Sequence, residues 1–227
     1  MSQRMLHVAP LSPFRFSQHL GCVTLTAALM ALGPSGCHRE AGATQDSPVA
    51  TPAALRAAAL TDQDGQAHRF ADFQGKTVVL DFFFASCPSV CPRETRSLAD
   101  VQARLPAALR PRVQFISVTV DPENDSADRL KAFARANGAD LKGWSFVRAS
   151  SPATASLTKE LEVFGGPQQA QAAPVGHGTS VYLFDARGHL MQRYAGSPLD
   201  GARLAREIAQ LDDLLLKQDP ELNKARL

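Results

Sequence analysis

The residues predict an α/β sandwich around a partly parallel central sheet. Three observations carry this. Short apolar segments of extended character alternate with helical ones between residues 77 and 164. A hairpin pattern follows around Asp185 to Gly188, and an amphipathic helix closes the series. Alternation of this kind lays strands side by side with helices packed on the sheet faces.

The folded part is read as residues 54–227. Asp64-Gly65 is a turn dipeptide between two short extended segments, an N-terminal hairpin leading to Phe70 and Phe73. Gly75-Lys76 then opens the run Thr77 to Phe84, which does not alternate cleanly and so reads as a central strand covered on both faces. A helix is expected from Arg93 to Leu105, with Leu98, Val101 and Leu105 on one face and Pro106 and Pro111 ending it. Arg112 to Val120 is the next strand, stopped by Asp121-Pro122. Asp125 or Ser126 can cap a helix carrying Leu130, Phe133 and Ala134, with Gly138 at its end. Trp144 to Val147 is a short strand, and Ser151-Pro152 starts a helix through Leu157, Leu161 and Phe164. Gly165 to Gly176 reads as a flexible segment. Ser180 to Phe184 and His189 to Tyr194 form the terminal hairpin, and Leu199 to Leu216 the last helix, through Leu204, Ile208, Leu211 and Leu215.

Residues 1–53 read differently. Arg4 and Arg15 precede the apolar stretch Leu20 to Leu32, followed by Gly33-Pro34-Ser35-Gly36-Cys37. That order is the pattern of an export signal, and residues 1–37 are taken as an export or lipoprotein leader. An apolar helix of about 13 residues rises only ~20 Å, short of the ~30 Å hydrocarbon core, which favours cleavage over a permanent anchor. Ser35-Gly36-Cys37 resembles the end of a bacterial lipoprotein signal, although Pro34 stands where Leu is usual; the other reading is cleavage near Ala41-Gly42-Ala43. Residues 38–53, rich in Ala, Pro, Thr and Gly, are expected to be a tether. The domain is thus expected outside the cytoplasm, periplasmic and held to the membrane by anchor or lipid. A formal net charge of +2, with no block of Lys and Arg interleaved with aromatics, excludes nucleic acid as a partner class.

Of the four cysteines, Cys22 and Cys37 belong to the leader, leaving Cys87 and Cys91 in the domain. A helix beginning at or near Cys87 would put Cys91 one turn on, with Cα atoms about 6 Å apart, inside the roughly 4.4–6.8 Å that a disulfide bridges. Helix N-terminal N–H groups favour a thiolate there. Thiolates serve disulfide exchange and equally bind Cu(I). Pro88 and Pro92 are expected to stiffen the loop and present both sulfurs. A purely structural disulfide gains little from closing so small a loop. Of the histidines, His7, His19 and His38 lie in leader or tether, and His68 and His189 read as solvated surface residues. His177, between Gly176 and Gly178, has the loop freedom to meet the cysteines over a metal; a loop histidine bonded to backbone is the alternative.

Phe82 to Pro92 resembles the C-P-x-V-C-P signature of the Sco/SenC proteins. Val118-Thr119-Val120-Asp121-Pro122, and His177 followed five positions later by Tyr182-Leu183-Phe184-Asp185, match further motifs. The resemblance runs from about residue 55 to 215. It implies a thioredoxin-like fold holding one copper ion, Cu(I) or Cu(II), with Cys87, Cys91 and His177 as ligands. It further implies work on the dinuclear copper centre of cytochrome c oxidase, on subunit II or another periplasmic cuproprotein, as copper donor, thiol reductant or both. Phe83, Ser89, Gly178 and Asn124 stand where the family commonly has Gly, an acidic residue, Ser and Arg; none removes a ligand. The competing readings are a thiol–disulfide oxidoreductase or a redox or copper sensor using Cys87 and Cys91 without obligatory metal, and, less well supported, a peroxidase. An oxidised pair holds copper poorly, so disulfide formation is expected to govern metal loading.

Overall fold

The computed structural model describes residues 49–164 and 179–218. The leader at residues 1–37, most of the expected tether, and the segment containing His177 lie outside the described residues.

The described chain forms a mixed seven-stranded sheet. The strands are β1 (Leu60–Asp62), β2 (Ala67–His68), β3 (Thr77–Phe83), β4 (Val113–Thr119), β5 (Trp144–Arg148), β6 (Ser180–Phe184) and β7 (Leu190–Ala195), in spatial order β2-β1-β5-β4-β3-β6-β7. β3, β4 and β5 run parallel, while β1 and β6 join this centre antiparallel and carry the two hairpin partners β2 and β7. The helices are α1 (Ala53–Ala57), α2 (Val90–Arg104), α3 (Ala127–Ala136), α4 (Ser151–Glu160) and α5 (Gly201–Gln218). The α/β sandwich with two antiparallel hairpins is the architecture read from the residues. None of the described helices is long and apolar enough to cross a membrane.

All seven residues of β3 are buried, as its unbroken apolar run requires. Alternation along it separates two cores. Val79 and Phe83 face α2, α3 and α5, meeting Leu98, Val101, Phe133, Leu204 and Ile208. Val78, Leu80 and Phe82 face the opposite side, with Leu55 of α1 and Leu157 of α4. Burying each such side chain contributes about 1.5–3 kcal/mol, so both helix layers are held mainly by these stripes.

Local chemistry sets the helix ends. Ser126 and Ser150 cap α3 and α4, accepting the N–H groups of Arg129 and Ala153. α4 stops at Glu160 rather than running to Phe164. Val163 N–H bonds the Thr158 carbonyl and Glu162 N–H that of Lys159, with Glu162 at φ 51°. This is a Schellman closure with glutamate in the left-handed position usually given to glycine, so no glycine marked the stop. At its start the domain is tied to the β6–β7 hairpin. Val49 bridges Leu190, and the Thr51 hydroxyl donates to the Gly188 carbonyl. The amides of Ala53 and Ala54 bond the Glu160 carboxylate at 2.7 and 2.6 Å.

Candidate functional site

β3 delivers its chain to the edge of the α2 layer. After Phe83 it leaves the sheet, Cys87 N–H turns back to the Phe84 carbonyl at 3.1 Å, and α2 begins at Val90. The helix therefore starts after Cys87, not at it, and only Cys91 lies in its first turn. Ser89 occupies the N-cap but makes no side-chain cap bond. The sulfur of Cys87 takes that duty, accepting the N–H of Cys91 at 3.4 Å.

The sulfurs are not presented as expected from Pro88 and Pro92. Cys87 is 8% and Cys91 1% exposed, and both pack in the core that faces α2. The cause is apolar surroundings: Phe83 belongs to the same buried cluster, and Phe84, Ala85 and Val90 pack against it. Both cysteines are free thiols.

The two thiols differ in electrostatics. Burial raises that of Cys87, but the N–H groups of Cys91, Ser89 and Val90 and the Cys91 side chain outweigh it, leaving Cys87 below the ordinary thiol range. At Cys91 burial dominates. The Phe84 backbone opposes it, while Cys87 and Glu94 add to it, and the thiol is pushed far up. The pair is one thiolate-prone sulfur beside one held as a thiol.

Two buried carboxyls that the sequence reading does not single out belong to the electrostatic surroundings of the pair. Glu94, one turn beyond Cys91, is 2% exposed and neither oxygen has a hydrogen-bond partner. Burial first, then Asp81 and Cys87, raise it to about 9. Asp81 of β3, also 2% exposed, accepts from the Ser117 hydroxyl at 2.5 Å, which in turn accepts the Trp144 indole N–H at 2.8 Å. Burial raises Asp81 to about 7 against the Ser117 and backbone hydrogen bonds. Signals existed for both. Asp81 is a lone charge in an apolar strand, and Glu94 occupies the apolar stripe continued by Leu98 and Val101.

His68 and His189 are not simply solvated. His68 Nε2 pairs with Asp62 at 2.8 Å and His189 Nδ1 with Asp185 at 3.0 Å, each anchoring a hairpin turn. His177 lies outside the described residues. Among the described residues, no three of His, Cys, Asp and Glu gather closely enough to hold a metal ion. The two sulfurs, four residues apart with one disposed to ionise, have donor chemistry that suits a soft metal and disulfide exchange alike.

Comparison with known proteins places the fold in a family. The SCO1/SenC family model matches residues 51–212. A SCO1 protein homolog of Bacillus subtilis is 28% identical over 137 residues, covering 60% of this chain and 70% of its own. The mitochondrial SCO2 homolog of Mus musculus is 32% identical over 142 residues, 61% of this chain and 54% of its own. The chain thus spans about half the length of that mitochondrial relative. Among solved structures, BsSco, described as having a disulfide switch and as a member of the Sco family of cytochrome c oxidase assembly proteins, superposes with a TM-score of 0.60. That match has 25% identity over 74% of this chain and 97% of its own. Copper-bound ScoI of Bradyrhizobium japonicum shares the fold at a TM-score of 0.56, with 19% identity over 72% of this chain and 99% of its own. The chain belongs to the SCO1/SenC family.

Proposed function

We propose that this protein is an extracytoplasmic, membrane-tethered copper-handling assembly factor that binds one copper ion through Cys87, Cys91 and His177. Its proposed recipient is the dinuclear copper centre of cytochrome c oxidase, in subunit II or another cuproprotein. The tether, in this reading, is the N-terminal leader kept as an anchor, or a lipid on Cys37. The supporting observation is the pair itself: two free thiols four residues apart, linked where the Cys87 sulfur accepts Cys91 N–H, in a family whose members include copper-bound structures. Two thiolates and an imidazole suit Cu(I), with a weak further ligand for Cu(II).

The residues define what binding demands. Cys87 is ready to bind, whereas Cys91 must give up a proton that burial holds in place. Apparent copper affinity should therefore rise with pH, about tenfold per unit for each proton released. The same asymmetry favours a second reading, a thiol–disulfide reductase in which Cys87 attacks and Cys91 resolves.

One titration separates the two. The reduced protein receives Cu(I) and Cu(II) in turn, with His177→Ala in parallel. The copper reading expects one tightly held ion and thiolate-to-Cu(II) absorption, both lost in the variant. Weak binding indifferent to His177, alongside persistent disulfide reduction, would hand the site to the reductase reading.

A further inference from the structure

β3 and β4 run parallel to Phe83 and Thr119, and their ladder continues one bond further, Val120 N–H donating to the Phe83 carbonyl at 2.8 Å. In a regular parallel ladder the next bond returns from Ala85 N–H to the Val120 carbonyl. Here Ala85 N–H donates instead to Oδ2 of Asp125, at 3.0 Å. A side chain forty residues away replaces the strand carbonyl, and the chain leaves the sheet at that point.

Asp125 is built in from every side. It is 0% exposed, and its Oδ2 also takes the Thr119 hydroxyl. Its own N–H bonds the Asp121 carbonyl at 3.0 Å, and Asp121 N–H bonds Thr119 Oγ1 at 3.0 Å. Ser126, not Asp125, caps α3, so the carboxylate has no helix to serve. Its Oδ1 is buried with no hydrogen-bond partner, an arrangement that costs free energy. That cost is borne at one place in the fold: Ala85 stands two residues before Cys87, and the neighbouring Phe84 carbonyl receives Cys87 N–H.

We propose that Asp125 is a positioning residue for the cysteine pair, turning the chain off the sheet after Phe84 and setting where Cys87 stands against the first turn of α2. This rests on reading Cys87 and Cys91 as the functional pair. The connected path is Thr119, Asp125, Ala85, Phe84, Cys87, ending where the Cys87 sulfur accepts Cys91 N–H. Because Oδ2 carries both bonds and Oδ1 none, asparagine with its oxygen at Oδ2 keeps the geometry and removes only the charge.

The test measures the thiol–disulfide equilibrium of the full-length, metal-free chain against glutathione. One glutathione disulfide and the Cys87/Cys91 dithiol give the protein disulfide and two glutathione thiols. Asp125→Ala should move this equilibrium about tenfold toward the protein disulfide, because the reduced form loses the seat that holds its sulfur on Cys91 N–H. Asp125→Asn should stay within about threefold of wild type. Asp212→Asn, at a buried carboxylate paired with Arg112, should lower stability without moving the equilibrium.

An unmoved Asp125→Ala, an equal shift in Asp212→Asn, or an Asp125→Asn as large as the alanine change would each overturn the proposal. The second would mean general loosening, and the third charge rather than position. Should Asp125→Ala not fold, Thr119→Val removes one of Oδ2's two donors and must shift the equilibrium in the same direction. No copper enters the measurement, so a failed copper titration leaves this result standing, and its own failure leaves the copper titration untouched.

Discussion

Replacing Glu94 by glutamine should flatten the pH dependence of stability in mildly alkaline solution. Burial raises the Glu94 carboxyl to about 9, so the folded state keeps its proton where the unfolded chain, near 4.5, has released it. A raised carboxyl contributes stability that is fully present below the unfolded value and is lost as pH climbs through the folded one. Each such proton makes the unfolding free energy fall by about 1.4 kcal/mol per pH unit. Asp81, raised to about 7, adds the same slope at lower pH. Above that value Glu94 is the main carboxyl still protonated. From about pH 7 to 8.5 the wild type should therefore lose about 2 kcal/mol more than Glu94→Gln. Cys87, held below its ordinary range, opposes this trend in both proteins and largely cancels in the comparison. Urea unfolding of the reduced, metal-free protein across this range is the assay, read as slopes because the new amide carries its own burial cost. Parallel profiles for the two proteins would refute a buried, protonated Glu94.

Three further outcomes are expected. Asp212→Ala removes the carboxylate that holds Arg112 through Nε at 2.5 Å and Nη2 at 2.6 Å, and should lower the urea-derived stability by about 2–3 kcal/mol. Gly196→Ala places a methyl group into the Glu94 carboxyl and should destabilise by about 1–3 kcal/mol. In a double-mutant cycle with Glu94→Ala, that loss should be relieved by about 1 kcal/mol or more, and strict additivity would show that the two do not meet. Ser126→Ala strips the cap from α3 and should reduce Tm by the equivalent of about 1 kcal/mol.

The order of strands and helices was readable because each element declares itself locally. The unbroken run at 77–84 marks the central strand, and Asp64-Gly65 and Asp185 to Gly188 mark the hairpins. The cysteine pair was readable for the same reason, being four residues of one segment. What escaped depends on partners distant in the chain. Nothing near Cys87 says that both sulfurs are enclosed, since the enclosure comes from β3 and the α2 layer together. Asp81 is held by Ser117 of β4, itself bonded by Trp144 of β5, three strands that only the parallel sheet brings together. Asp125 reads as a candidate cap because capping is the local role of an aspartate before a helix. Its acceptor role toward Ala85 follows from where β4 stops.

The bridge between Val49 and Leu190 gives the molecule a front and a back. β6 runs antiparallel to both β3 and β7, so β7 points the same way as β3, and Leu190 neighbours Phe184, which neighbours Val78 near the start of β3. The chain therefore enters the domain beside the beginning of β3, while the cysteines follow its end, about 20 Å along the strand. Under the proposed tethering, a hold exerted through Val49 would act at the end of β3 opposite the cysteines. The cysteine segment would then lie at the end of the sheet away from that hold, with both sulfurs enclosed beside the α2 layer.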